Sequence, residues 1–370
     1  MLRFLDSCKH LNSSGNGLTP KEDAIKYTVG QGNVSSSGGR FGGGSMSGLF
    51  NHTLTLDVDA LGQEHIIVGQ SAKFSAFNQT IARVDFRAMS LSDPASGEVL
   101  FPFIRWSVLS DGTMALTAQG WKDNGGGGFT TSSTVTSPSM LWGQNGLRVT
   151  EWYYFEMKID WSGSSGAMTV TCRVNEQEMI VWGPQEGGKD LLAGDPHFAS
   201  CAFALNANVN DVVISDDYAD SADSTIDFLG DVRVDCIWPR AAGSNSGWTP
   251  LSGTNYQMVD EHANDRDTTT ISAASGGEVD TYLYDSVASL GLGQIYGLQL
   301  NMLAKKDDAT AVEISAAIIP NGGALTIDSE AHSVNGSYID YRKIWERLPG
   351  ATALPTAAEI DNSEFGVKRL

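Results

Sequence analysis

An all-β chain in two domains, with the rhythm of a β-sandwich in the first and a second, smaller β-body after it, is the fold class that three observations predict. Short runs alternate apolar and polar residues, the period that puts one face of a strand into a core and the other into solvent. Glycine is plentiful, with 41 in 370 residues, charged residues are sparse at 18%, and long helical patterns are nearly absent, which favours short strands joined by tight turns. The texture also changes near Phe228, and the length suits two cores better than one. The division expected is therefore 1–227 and 228–370.

A short start around Phe4 and Leu5 leads into a polar stretch ending in Ser35 to Met46, whose glycines mark a turn between strands. It is not a phosphate cradle, because no Gly-Lys-Ser/Thr follows and no helix pattern opens after it. Strands are expected at Leu54 to Val58, Ile66 to Val68, Val84 to Ala88 and Ile104 to Val108. Asp111-Gly112 is the pair that favours a two-residue hairpin, with Met114, Leu116 and Ala118 resuming the alternation beyond it. Tyr153, Phe155, Met157 and Ile159 share one strand face, and Glu156, Lys158 and Asp160 the other. Ser162 to Gly166 then connects to a strand whose inward face carries Val170, Cys172 and Val174.

The junction Phe228-Leu229-Gly230-Asp231-Val232-Arg233-Val234-Asp235 reads as the opening strand of the second body, with Val232 and Val234 alternating against Arg233 and Asp235. Further strands are expected at Ile295 to Met302, at Val312 to Ile319 before Pro320-Asn321-Gly322-Gly323, at Ser337 to Trp345, and at Phe365 to Arg369. Thr356-Ala357-Ala358-Glu359 has capping-box form, so one short helix should precede the last strand.

A formal charge of −20 with scattered Lys and Arg argues against nucleic acid and anionic membrane as partners. The opening Met1 to His10 meets charge too soon for a secretory apolar region, and no run is long enough to span a bilayer, so synthesis and assembly in a cytoplasm are expected. Outside a secretory route, Asn51-His52-Thr53 and Asn78-Gln79-Thr80 are not glycosylation acceptors. Cys8, Cys172, Cys201 and Cys236 are too widely spaced for a metal knuckle and read as free, mostly buried thiols.

With these residues in view, the chain resembles tailed-bacteriophage virion proteins whose first domain is similar to a concanavalin A-like, laminin-G-like jelly roll. Met1 to Asp6, Gly39-Arg40-Phe41-Gly42-Gly43, Trp152 to Lys158, Val170 to Asn175 and Phe228 to Asp235 carry the resemblance in the first part. Trp248-Thr249-Pro250, Asn255-Tyr256, Val259-Asp260-Glu261, Asp280-Thr281-Tyr282 and Glu364 to Lys368 continue it to the end. One departure is Asn175-Glu176, where such hairpins often turn with Asn-Gly. The resemblance implies a non-enzymatic structural component of the virion, in a tail, neck or fibre-like appendage. It would assemble as a homo-oligomer, a ring or trimer, with other virion structural proteins. A capsid decoration protein and a glycan-binding receptor adhesin are the alternatives.

For chemistry, glycan hydrolysis needs two carboxylates across the scissile bond. Glu278-Val279-Asp280-Thr281-Tyr282-Leu283 comes nearest to the Glu-x-Asp-x-x-Glu strand of glucanases with this fold and lacks the last acid, so no catalytic residue is assigned. His10, His52, His65, His197, His262 and His332 form no metal spacing, and no metal or cofactor is expected. Asp216, Asp217, Asp220, Asp223 and Asp227 read as a solvated linker, with calcium coordination across 216–231 as the alternative. Val259 to His262 with Asp265 and Asp267 reads as an interface loop. A host-surface glycan would stack on aromatic rings and bond to Asn or Asp, which makes Trp121, Asp123, Asn124, Trp142, Asn145 and Trp161 the candidate glycan or interface contacts. The alternative for these tryptophans is packing, as sandwich plugs or interface anchors.

Overall fold

The computed structural model describes the backbone of residues 2–6, 29–35, 39–41, 45–53, 65–86, 99–100, 103–123, 129–136, 140–141, 147–160, 168–185, 198–203, 207–216, 227–261, 265–291 and 293–370. The chain divides into two compact units, Met1–Asp235 and Cys236–Leu370. Both are all-β, a jelly-roll sandwich and a smaller β-sandwich.

Among the described residues, the first unit is a 15-stranded sheet in which every pairing is antiparallel. Its main path runs Met140–Leu141, Thr113–Asp123, Phe103–Val108, Gln79–Phe86, Phe198–Phe203, Ser45–Thr53, Ala207–Asp216, His65–Phe74, Trp152–Asp160, Met168–Val174 and Gln177–Gln185. Leu2–Asp6, Val29–Ser35, Val99–Leu100 and Phe129–Thr136 branch from it. The sheet folds over on itself: Trp106 lies six places along the path from Phe155, yet their ring centroids are 5.5 Å apart, edge to face. Phe155 also meets Phe74 at 5.7 Å, so three strands close on one buried aromatic. Ile104, Trp106, Val108, Met157, Ile159, Val170, Cys172 and Val174 are buried in this core, on the faces that their alternation assigns. Cys172 is a free thiol there, and Cys236 is half-buried.

The Asp111-Gly112 hairpin turns differently from the two-residue expectation. Leu109 O accepts from Gly112 N and Leu109 N donates to Thr113 O, so the loop is three residues long, Ser110 to Gly112. A two-residue type I′ turn needs positive φ at both central residues, whereas here Gly112 at +82° carries the left-handed conformation without Asp111. At Asn175-Glu176 both residues are left-handed, at +45° and +67°, and Val174 pairs with Gln177. The tight two-residue turn survives there without a glycine, and Asn175 anchors it: its N–H donates to Tyr154 O and its Oδ1 accepts from Tyr154 N, both at 2.8 Å.

In the second unit a six-stranded sheet runs Pro239–Ser246, Val279–Tyr284, Glu364–Arg369, Glu313–Ile319 and Thr326–Ile327, with His332–Ser333 also on Glu313–Ile319. A two-stranded ribbon of Leu298–Ala304 and Ile339–Trp345 supplies the facing layer. Trp345 of the ribbon meets Phe365 of the sheet at 5.9 Å, over a core that includes Ile314, Ile318, Met302, Tyr341 and Ile360. The short helix is Ala357–Asp361, and its capping box is complete: Thr356 Oγ1 accepts from Glu359 N while Glu359 Oε2 accepts from Thr356 N.

The expected strand at 228–235 is not a strand. The N–H groups of Leu229, Gly230, Asp231 and Val234 go to side-chain carboxylates and that of Val232 to Gly230 O, so no ladder to a neighbouring strand forms, and the segment closes the first compact unit where the opening of the second body was expected. The strand expected at Leu54 to Val58 and the connection Ser162 to Gly166 lie outside the described residues.

Candidate functional site

The outer face of the strands His65–Phe74, Trp152–Asp160 and Ala207–Asp216 is where polar side chains collect without solvent. Alternation assigns Glu156 to water; in the structure it is 1% exposed, and Tyr154, Ser71 and Asp211 beside it are buried too. The cover is the segment 228–235, which lies across this face as a strap. Gly69, directly opposite Glu156 in register, makes room: a Cβ there would collide with the Tyr154 hydroxyl.

Three carboxylates hold the strap. Glu156 Oε1 accepts from Leu229 N at 3.0 Å and Gly230 N at 3.1 Å. Glu176, in the left-handed turn, accepts from Asp231 N at 3.3 Å. Asp211 accepts from Val234 N at 3.0 Å through one oxygen and from Ser71 Oγ at 2.9 Å through the other. Asp211 can reach both because the strand bulges between Asn210 and Val213, where Asp211 takes φ +49°, a conformation that a short acidic side chain tolerates.

Cations lock the strap's edges. Arg40 donates to both oxygens of Asp231 at 2.5 Å, to Ser71 Oγ at 3.0 Å, and stands 3.9 Å from Asp211. The Arg173 guanidinium lies 3.9 Å above the Phe228 ring, and Arg40 and Arg233 both approach the Phe41 ring at 4.8 Å. At the head of the strap Asp227 pairs with Lys158 at 3.3 Å and caps Phe228 N.

Burial sets the proton affinities. It pushes Glu156 up to about 7, against the pull of the Gly230 and Leu229 amides and of Arg173, with Glu176 adding to the rise. Asp211 is pushed up to about 6 by burial, opposed by Val234 N–H, Ser71 and Arg40 and helped by Asp235. The Tyr154 phenol is driven well above its ordinary range, first by burial and then by Glu156. Asp227 goes the other way: burial raises it, but the Phe228 amide and Lys158 together outweigh that and hold it below the usual value.

The second unit holds one buried carboxylate, Asp280, at 0% exposure. One oxygen accepts from Trp248 N at 3.1 Å and the other from Asn255 Nδ2 at 2.7 Å and the Tyr282 hydroxyl at 2.6 Å. Glu278 caps Ser275 N, so the Glu278 and Asp280 pair that came nearest to a hydrolytic strand is occupied in holding loops. Glu261, Asp265 and Asp267 are likewise occupied: Thr269 Oγ1 bonds to Glu261 and Asp265, and Asp267 takes Lys305 at 2.6 Å and the Tyr338 hydroxyl at 2.8 Å.

Of the six residues singled out for glycan or interface contact, Trp121 and Asp123 have described backbone. Both lie near the end of Thr113–Asp123, where Trp121 pairs with Leu100 and Thr131 and Asp123 with Phe129. Asn124, Trp142, Asn145 and Trp161 lie outside the described residues, as does most of 216–226. Among the described residues no three His, Cys, Asp or Glu are grouped to hold a metal, and no helix is long and apolar enough to cross a membrane. The strap was missed because its sequence mimics a strand; the one signal that pointed elsewhere was Gly230, at φ +81°, inside it.

No protein-family model matches the chain, and no curated protein matches it. Among solved structures, about half of the chain aligns with lectin-like and lyase sandwiches at low similarity. CG-16, a homodimeric agglutinin from chicken liver, is 14% identical, covering 45% of this chain and 99% of that one, with a TM-score of 0.25. Ruminococcus gnavus IT-sialidase CBM40 bound to alpha2,6 sialyllactose is 12% identical over 50% of this chain and 90% of that one, at 0.26. The alginate lyase vAL-1 from Chlorella virus is 11% identical over 51% and 86%, also at 0.26. Likeness at these scores carries no functional assignment.

Proposed function

We propose that this chain is a non-enzymatic structural component of a tailed-phage virion, built into a tail, neck or fibre-like appendage as a homo-oligomer. The observation that carries the reading is the use made of the buried acids. Glu156, Asp211 and Asp280 each accept hydrogen bonds from the chain's own groups, which is what a protein that works by keeping its shape requires. The ordered series of sequence resemblances from Met1 to Lys368 supports the same reading. Copies would meet through sandwich faces and loops related by symmetry, alongside neighbouring virion proteins.

Quantitative mass spectrometry of purified particles, with the full chain sized separately by analytical ultracentrifugation, tests this. A fixed copy number per particle and a defined oligomer are expected; a monodisperse monomer that never enters particles would overturn the reading. Weak glycan adhesion, multiplied by copy number, is the second reading, and it rests on Trp121 and Asp123 at the end of a sandwich strand. A glycan array on the full chain, with Trp121→Ala as control, supports it if binding is seen and lost in the variant. Release of reducing ends from host polysaccharide would contradict the non-enzymatic assignment.

A further inference from the structure

We propose that residues 228–235 are a proton-linked strap, which takes up protons as it closes over the outer face of the first sandwich and loosens as solution turns from mildly acidic to mildly alkaline. The inference stands on how the strap is held and is independent of any role in a particle. A strand added to a sheet is held by a backbone ladder that does not titrate. This segment is held by carboxylates.

The central acceptor is Glu156. Both of its strap bonds go to Oε1, and Oε2, buried, has no hydrogen-bond partner among the described residues. A buried carboxylate satisfied on one oxygen alone is poorly compensated for its lost hydration, so its neutral form is favoured while the strap is shut. The neutral acid still accepts through its carbonyl oxygen and therefore keeps both amide bonds. With the strap lifted, Glu156 is rehydrated and regains an ordinary carboxylate's affinity for protons.

Among the described residues, charged groups face it from the elements packed against it. From the strand Met168–Val174, Arg173 is directly opposite Glu156 in register, but its guanidinium lies over Phe228. Glu176 approaches from the adjoining turn and raises Glu156 further. From His65–Phe74 the register neighbour is Gly69, which brings no charge, and from Ala207–Asp216 comes Asp211, itself raised. The strap contributes Asp231, bound by Arg40, and Arg233 paired with Asp235. Its head contributes Asp227, paired with Lys158.

The sign follows from linkage. Glu156 and Asp211 bind protons more tightly with the strap closed than with it open, so their favourable contribution to closure is complete below the ordinary carboxylate range. It is lost as pH rises through about 6 for Asp211 and about 7 for Glu156. Asp227, held low, acts with the opposite sign, in a window below theirs.

Hydrogen exchange on the full chain tests this, read at the amides of Leu229, Gly230 and Val234 and corrected for the intrinsic pH dependence of exchange. Protection at these amides should fall about tenfold or more between about pH 5 and about pH 8, while the amides of Val279–Tyr284 do not follow. Glu156→Gln, neutral at every pH, should retain most of the acidic protection at the alkaline end, and Asp211→Asn should retain less because it also gives up its attraction to Arg40. Equal protection at both pH values in the unaltered chain would overturn the proposal, and that arm requires no variant to fold. An undiminished fall in Glu156→Gln would overturn it as well.

Discussion

Glu156 in the first unit and Asp280 in the second are both buried acids that hold backbone in place, and they differ in how completely they are satisfied. Asp280 accepts three hydrogen bonds spread over both oxygens, one of them from the Tyr282 hydroxyl, whose phenol is itself driven far up by burial and by Asp280. Glu156 accepts two on one oxygen, and the other has no hydrogen-bond partner among the described residues. A saturated carboxylate is a fixed joint. An unsaturated one answers to the proton concentration.

The largest effect should come from breaking the saturated joint. Asp280→Ala leaves Trp248 N, Asn255 and the Tyr282 hydroxyl without their acceptor, and should cost the second unit about 3 kcal/mol or more, read by denaturant unfolding. Asp280→Asn should recover part of that, since the amide keeps one acceptor oxygen.

Next comes the floor beneath the strap. Gly69→Ala drives a methyl into the Tyr154 hydroxyl, and neither the packed ring nor the sheet can move aside freely. It should destabilise the first unit by about 1–3 kcal/mol and leave the second unit's transition unchanged in calorimetry.

Glu156→Gln sharpens the contrast, because its effect should depend on pH. At the alkaline end it relieves a buried charge and stabilises the first unit relative to the unaltered chain; in acid, where the parent is already neutral, the two should unfold alike. The smallest effect is expected at the helix, where Thr356→Ala removes a capping box from a single turn and a half and should cost about 1 kcal/mol.

These contrasts also mark where sequence reading succeeds. Alternation placed strands at Ile104 to Val108 and Tyr153 to Asp160 and on the residues around Cys172, within the observed Phe103–Val108, Trp152–Asp160 and Met168–Val174, and it put Phe155 and Cys172 on faces that are buried, because a two-residue period is a local property. The Thr356 to Glu359 box was legible for the same reason. Glu156 was not. Its face becomes an interior only because a segment more than seventy residues onward is laid across it, and nothing near Glu156 records that. Val232 and Val234 alternate like a strand, yet whether a backbone N–H finds a carbonyl or a carboxylate is decided by the surface it lands on. Asp211 stands between Asn210 and the apolar Val212-Val213-Ile214, and an acid at such a place in a strand is the kind of local conflict that marks a bulge.

The most direct measurement is the carboxyl carbon-13 titration of Glu156 in the folded full chain, assigned by its absence in Glu156→Gln. A midpoint near about 7 is the expected result. A midpoint in the ordinary range of an exposed glutamate would mean that water reaches the carboxylate, and that the strap does not cover it as described.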